Sequence, residues 1–97
     1  MSHTVEKTMS LTLAEFAKSF AKLDPDSDTQ ADRRVYNFPV GAGSVEIRVD
    51  PIEPARLGGG LLALPRCRVV LEFSDASADE QAIFLGRFDR VFQRGGG

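Results

Sequence analysis

The residues best placed to do chemistry lie in the last third of the chain. Arg87, Arg90 and Arg94 recur at helical spacing, which sets three guanidinium groups within about 60° of one another around a helix of 3.6 residues per turn. Three such forks can clamp a carboxylate, a phosphate or a nucleic-acid backbone. Arg90 and Arg94 also stand in the last turns of that helix, where the backbone dipole favours cations without any ligand. No aromatic side chain interleaves with the stripe to stack a base. Arg66 and Arg68 flank Cys67, the single cysteine, and neighbouring guanidinium groups lower a thiol pKa. Strand alternation separates them: Cys67 shares parity with Val69, Leu71 and Phe73, so the thiol points to the core and the two arginines point away. Arg66 and Arg68 therefore join Arg87, Arg90 and Arg94 as candidate anion- or partner-binding residues.

Other chemistries lose their usual residues. One cysteine allows no internal disulfide and no thiolate cluster. His3 is the only histidine, so the body of the chain cannot build a Ser-His or Cys-His pair. Asp24, Asp26, Asp28 and Asp32 resemble the start of a calcium loop, but Thr29 and Val35 stand where glycine and glutamate are required. The Gly58-Gly59-Gly60 triplet lacks the Lys-Ser or Lys-Thr of a phosphate-binding loop. A carboxylate enzyme would need a pair such as Glu72 and Asp75 in one pocket, which alternation does not provide. The expectation is a non-enzymatic protein with no catalytic residue, metal ligand or cofactor.

Positioning falls to one domain. A chain of 97 residues has room for a single thin core, and 42% hydrophobic against 27% charged residues marks a globular chain rather than a disordered one. The net charge of −2 divides unevenly. Residues 1–32 hold three lysines and six acids, whereas residues 33–97 hold nine arginines and eight acids. Neither part is basic enough to announce a nucleic-acid binder. Arginine to the exclusion of lysine in the main body fits a G+C-rich bacterial genome. No apolar run has the length of a membrane span, and the start lacks the apolar segment of a secretory signal. The cytoplasm is the expected compartment.

The elements follow from pattern. Residues 1–10 read as a polar, disordered leader and 95–97 as a glycine tail, leaving residues 11–94 as the domain. Thr12 and Glu15 form a capping box, with Leu11 and Phe16 as its hydrophobic staple. Leu13, Phe16, Ala17, Phe20 and Leu23 give that helix an apolar stripe, and Asp24-Pro25 ends it. Arg33 to Val40 and Ser44 to Asp50 form a hairpin about Gly41-Ala42-Gly43. Pro51, Pro54 and the glycine triplet interrupt residues 51–65, which read as a long loop. Arg66 to Phe73 is the third strand. Ser77 and Glu80 open a final helix whose Phe84, Phe88 and Phe92 face the core.

The sum is an α+β two-layer sandwich of order α-β-β-(loop)-β-α, its short antiparallel sheet carrying both helices on one face. Leu61, Leu62 and Leu64 are expected to fold back over the core, with docking on a second subunit as the alternative. Val35 and Val70 are the apolar residues of an otherwise charged outer sheet face and, as the centre of a pairing surface, join Leu61, Leu62 and Leu64 as candidate interface residues. The functional expectation is a protein-interaction or self-association module, with a homodimer as one form. Anion or nucleic-acid binding by the arginine stripe is the alternative.

Overall fold

The computed structural model describes residues 2–26 and 30–92. Its elements are β1 (Ser2–Met9), α1 (Leu13–Leu23), β2 (Val35–Val40), β3 (Gly43–Leu57), β4 (Leu62–Ser74) and α2 (Ala78–Phe92). The four strands form one sheet of order β1-β4-β3-β2, antiparallel throughout. Both helices cover the same face, giving a small two-layer α+β fold.

Strand alternation decides which face they cover. Tyr36 in β2, Val45, Ile47 and Val49 in β3, and Val69, Leu71 and Phe73 in β4 are fully buried. They meet Phe16 and Phe20 from α1 and Phe84, Phe88 and Phe92 from α2 in one cluster. The rings touch in sequence: Phe16 lies 4.6 Å from Phe92 and 5.1 Å from Tyr36, centre to centre. Each such buried aromatic or aliphatic side chain contributes about 1.5–3 kcal/mol relative to exposure.

Both capping boxes form. Thr12 Oγ1 accepts from the Glu15 N–H at 3.1 Å while Glu15 Oε1 accepts from the Thr12 N–H at 2.9 Å. At α2, Ser77 Oγ accepts from the Glu80 N–H at 3.1 Å, and Glu80 Oε1 accepts from the Ser77 N–H at 2.8 Å. The second box has a tertiary role as well. Glu80 Oε2 also accepts from the Ala42 N–H at 3.3 Å, tying α2 to the β2–β3 turn. Gly41, at φ 57°, suits that turn because other residues are strained in left-handed backbone, and a Cβ there would also push the Glu80 carboxylate from its place.

Two expectations are corrected. Residues 2–9 are not a disordered leader but the edge strand β1, laid antiparallel on β4 with Val5 opposite Leu71 and Met9 opposite Cys67. Its composition is polar because it is an edge: Thr4, Glu6 and Thr8 face outward, and Lys7 faces inward only to reach Asp89 of α2 at 3.2 Å. An inward charge of that kind blunts an edge strand against stray pairing. The stretch 51–65 is likewise no loop; β3 continues to Leu57 and β4 begins at Leu62. Pro51 is tolerated because β2 has ended: the Val49 N–H donates to Arg34 on that side, so the donor Pro51 lacks would point beyond β2. Pro54 falls in the β-bulge between Ile52 and Ala55. Gly58, Gly59 and Gly60, with φ of 61°, 67° and 91°, turn the ribbon.

Candidate functional site

Beyond the ends of β1 and β2 the β3–β4 hairpin continues as a two-stranded ribbon. Ala55 lies opposite Leu64, Arg56 opposite Ala63 and Leu57 opposite Leu62. Cross-strand partners share a face and successive residues alternate. One face therefore carries Ala55, Leu57, Leu62 and Leu64, and the other carries Arg56 and Ala63. An antiparallel ribbon patterned this way is apolar on the side meant to be covered, yet no element among the described residues lies over it. Leu57 is 47% exposed, Leu62 55%, Leu64 39%, and Leu61 in the turn 93%. The expected folding of the leucines over the core is thus overturned. Leu62 and Leu64 share parity with Arg66 and Arg68, so the leucine face continues the outer sheet face, opposite both helices, and the ribbon extends past the helices to give the molecule principal extents of 47 × 24 × 23 Å.

At the ribbon's base, on the helix side, a cleft of about 440 Å³ opens between the start of α1 and the strands. Leu11, Leu13, Ala14, Pro51, Pro54 and Pro65 line it. Cys67 forms part of the wall but is only 1% exposed, and its Sγ donates to the Leu11 carbonyl at 3.2 Å. Burial raises the thiol pKa, with a further contribution from the Asp50 charge. A protonated, covered thiol is a poor nucleophile.

The candidate arginines fall on opposite sides of the sandwich. Arg87 and Arg90 are exposed on α2 and hold no ion pair among the described residues, while Arg94 lies outside the described residues. Arg68 is on the outer sheet face, 3.6 Å from Glu6. Arg66 donates through Nε to the Glu53 carbonyl at 2.9 Å, bracing the ribbon across its bulge. The structure therefore does not bring the five together.

Val35 and Val70 share one outward row, Glu6–Val70–Arg48–Val35, with Arg48 between them. Val35 is 44% exposed and Val70 half-buried. In the neighbouring row Glu46 and Glu72 stand directly opposite each other, a like-charge pairing that is unfavourable. Arg48 offsets it, its Nε 2.9 Å from Glu46 Oε1, and the hydrogen bond to Glu46 raises the Arg48 pKa.

In the acidic loop the Asp24 carboxylate accepts from the Asp26 N–H at 3.2 Å, a local turn bond, and Asp28 lies outside the described residues. No group of three or more histidine, cysteine or acidic residues able to hold a metal occurs among the described residues. No helix among them is long and apolar enough to cross a membrane. Pattern reasoning did not find the Glu80–Ala42 bond, the Lys7–Asp89 pair, or the Arg33 guanidinium 4.2 Å from the centre of the Tyr36 ring. The first two are long-range contacts between elements, and the third is an i, i+3 contact that an extended segment does not announce. Compared with protein-family models, with curated proteins and with solved structures, the chain matches none.

Proposed function

We propose that this protein acts by binding another protein chain through the β3–β4 ribbon. The observation that carries the reading is the leucine face, apolar by strict alternation and left without a second layer. A two-stranded ribbon is marginal in water on its own, and covering its apolar face supplies what the fold omits. At their observed exposures the three leucines of the face together with Leu61 in the turn leave on the order of 400 Å² of surface, the size of the largest apolar patch on an ordinary monomer, which is often functional. Covering that area is worth roughly 10 kcal/mol gross, against about 4–15 kcal/mol for immobilising two molecules. The balance describes a reversible association rather than a permanent one.

The arginine stripe is the weaker reading, since Arg87 and Arg90 are separated from Arg66 and Arg68 by the thickness of the molecule. A photo-crosslinking residue placed at Leu62, and in a second variant at Arg87, compares the two surfaces in cells. Adducts from position 62 and few from position 87 are expected. Adducts from position 87 alone would overturn the ribbon reading.

A further inference from the structure

We infer that the cleft between β2 and the first half of α2 is a binding site for a free apolar α-amino acid, held as its zwitterion. The site is separate from the ribbon and does not rest on it. The cleft measures about 200 Å³, below the roughly 300–1,000 Å³ of a pocket for larger ligands and cofactors. Its apolar walls are Phe38 and Pro39 of β2 and Ile83 and Phe84 of α2. The Phe38 and Phe84 rings meet at 5.7 Å, centre to centre. Ile83 is 67% exposed, an apolar lip that a bound side chain covers.

Charge at the two ends selects the ligand. Glu80 and Arg87 are the charged residues that line the cleft. Seven residues apart, they stand nearly in line on one side of α2, about 10.5 Å along its axis, with Ile83 and Phe84 between them. Helical side chains lean toward the helix N-terminus, so Arg87 reaches back along the cleft toward Glu80. Arg87 holds no ion pair among the described residues, and its planar fork matches a carboxylate. Glu80 accepts from the Ser77 N–H through Oε1 at 2.8 Å and from the Ala42 N–H through Oε2 at 3.3 Å. Each carboxylate oxygen carries two lone pairs, so Glu80 has capacity left for an ammonium group. A simple acid bound at Arg87 is repelled by Glu80, and a simple amine bound at Glu80 is repelled by Arg87. A molecule with both charges beside one apolar side chain turns both repulsions into attraction. An apolar α-amino acid has that form. The two charge contacts are open to water and the apolar contact is small, so the dissociation constant is on the order of 1 mM.

Titrating the full chain with L-leucine up to about 20 mM, followed by the amide shifts in proton–nitrogen correlation spectra, tests the site. Saturable shifts confined to Gly41, Ile83, Arg87 and their neighbours are expected. Three probes each remove one element of the ligand: 4-methylpentanoate lacks the ammonium, 3-methylbutylamine the carboxylate and glycine the apolar side chain. Each should bind at least about tenfold more weakly than leucine. Arg87→Gln should weaken leucine by a similar factor, whereas Arg90→Gln, on the same helix but outside the cleft, should leave it unchanged. Both arginines are exposed, so neither variant disturbs the core. No shifts at the highest concentration, or leucine binding indifferent to Arg87→Gln, would overturn the site. A truncated probe that binds as tightly as leucine would overturn its selection of a zwitterion.

Discussion

Replacing Phe88 by alanine tests how α2 is held. The ring is fully buried, stacked on Phe92 at 4.4 Å and flanked by Phe84 at 6.0 Å and Phe16 at 6.3 Å. Its removal takes away the transfer energy of the whole side chain and leaves a cavity bounded by three other rings, which can close only by moving both helices. Phe→Ala changes in such settings cost about 3–5 kcal/mol, and the aromatic contacts set this site toward the upper end. Domains of this size are stable by about 5–15 kcal/mol in all, so the loss takes a large share. At roughly 4–8 °C per kcal/mol, the midpoint falls by about 12–40 °C. Urea unfolding followed by circular dichroism measures the loss, provided the slope with denaturant is unchanged. Ile83→Ala, on the same helix but 67% exposed, is the control and should stay within about 0.5 kcal/mol of wild type. A loss below about 1 kcal/mol at Phe88, or equal losses at both positions, would refute the packing of α2 on the sheet.

Two further outcomes follow from ionisable groups. Glu80 has its pKa lowered first by the Ser77 N–H, with the Ala42 N–H also favouring the charged carboxylate. A carboxylate lowered on folding contributes stability above its unfolded pKa and loses it as pH falls through the folded value. Glu80→Gln should therefore be less stable than wild type at neutral pH, with the gap narrowing below the ordinary glutamate range; parallel stability curves from pH 7 to 3 would refute the tie. For Cys67, burial and the bond to Leu11 predict slow labelling by a thiol reagent at pH 8, rising to the free-thiol rate in urea along the unfolding curve. Rapid labelling of the folded chain would show the cleft to be open to the sulfur.

What could be read from residue order was whatever local chemistry decides. Thr12 with Glu15 and Ser77 with Glu80 announce their helices because the capping partners are three residues apart. Cys67 declares its direction through the parity of its neighbours. The hairpin about Gly41 and Gly43 is equally local. By contrast, β1 has little apolar content and becomes a strand only because β4 offers it an edge. Pro51, Pro54 and three glycines read as breakers, yet a proline costs little once the adjacent strand has ended, and the glycines are the turn. Leu61, Leu62 and Leu64 stood out as candidates from composition alone. Their exposure was not legible, because it depends on β4 running unbroken through Pro65, which sets Leu62 and Leu64 on the outer face with Arg66 and Arg68.

The position of β1 also bears on how the chain is made. Its residues pair with the far end of β4, Ser2 opposite Ser74, so β1 has no partner until β4 has been synthesised. At about 5–20 residues per second, that leaves it waiting several seconds after it emerges. Until then β4's place in the sheet is empty, and β2 with the start of β3 can form only a hairpin. The pairing of largest sequence separation thus closes the sheet last, and the polar, charged make-up of β1 is what keeps a waiting strand from finding other partners first.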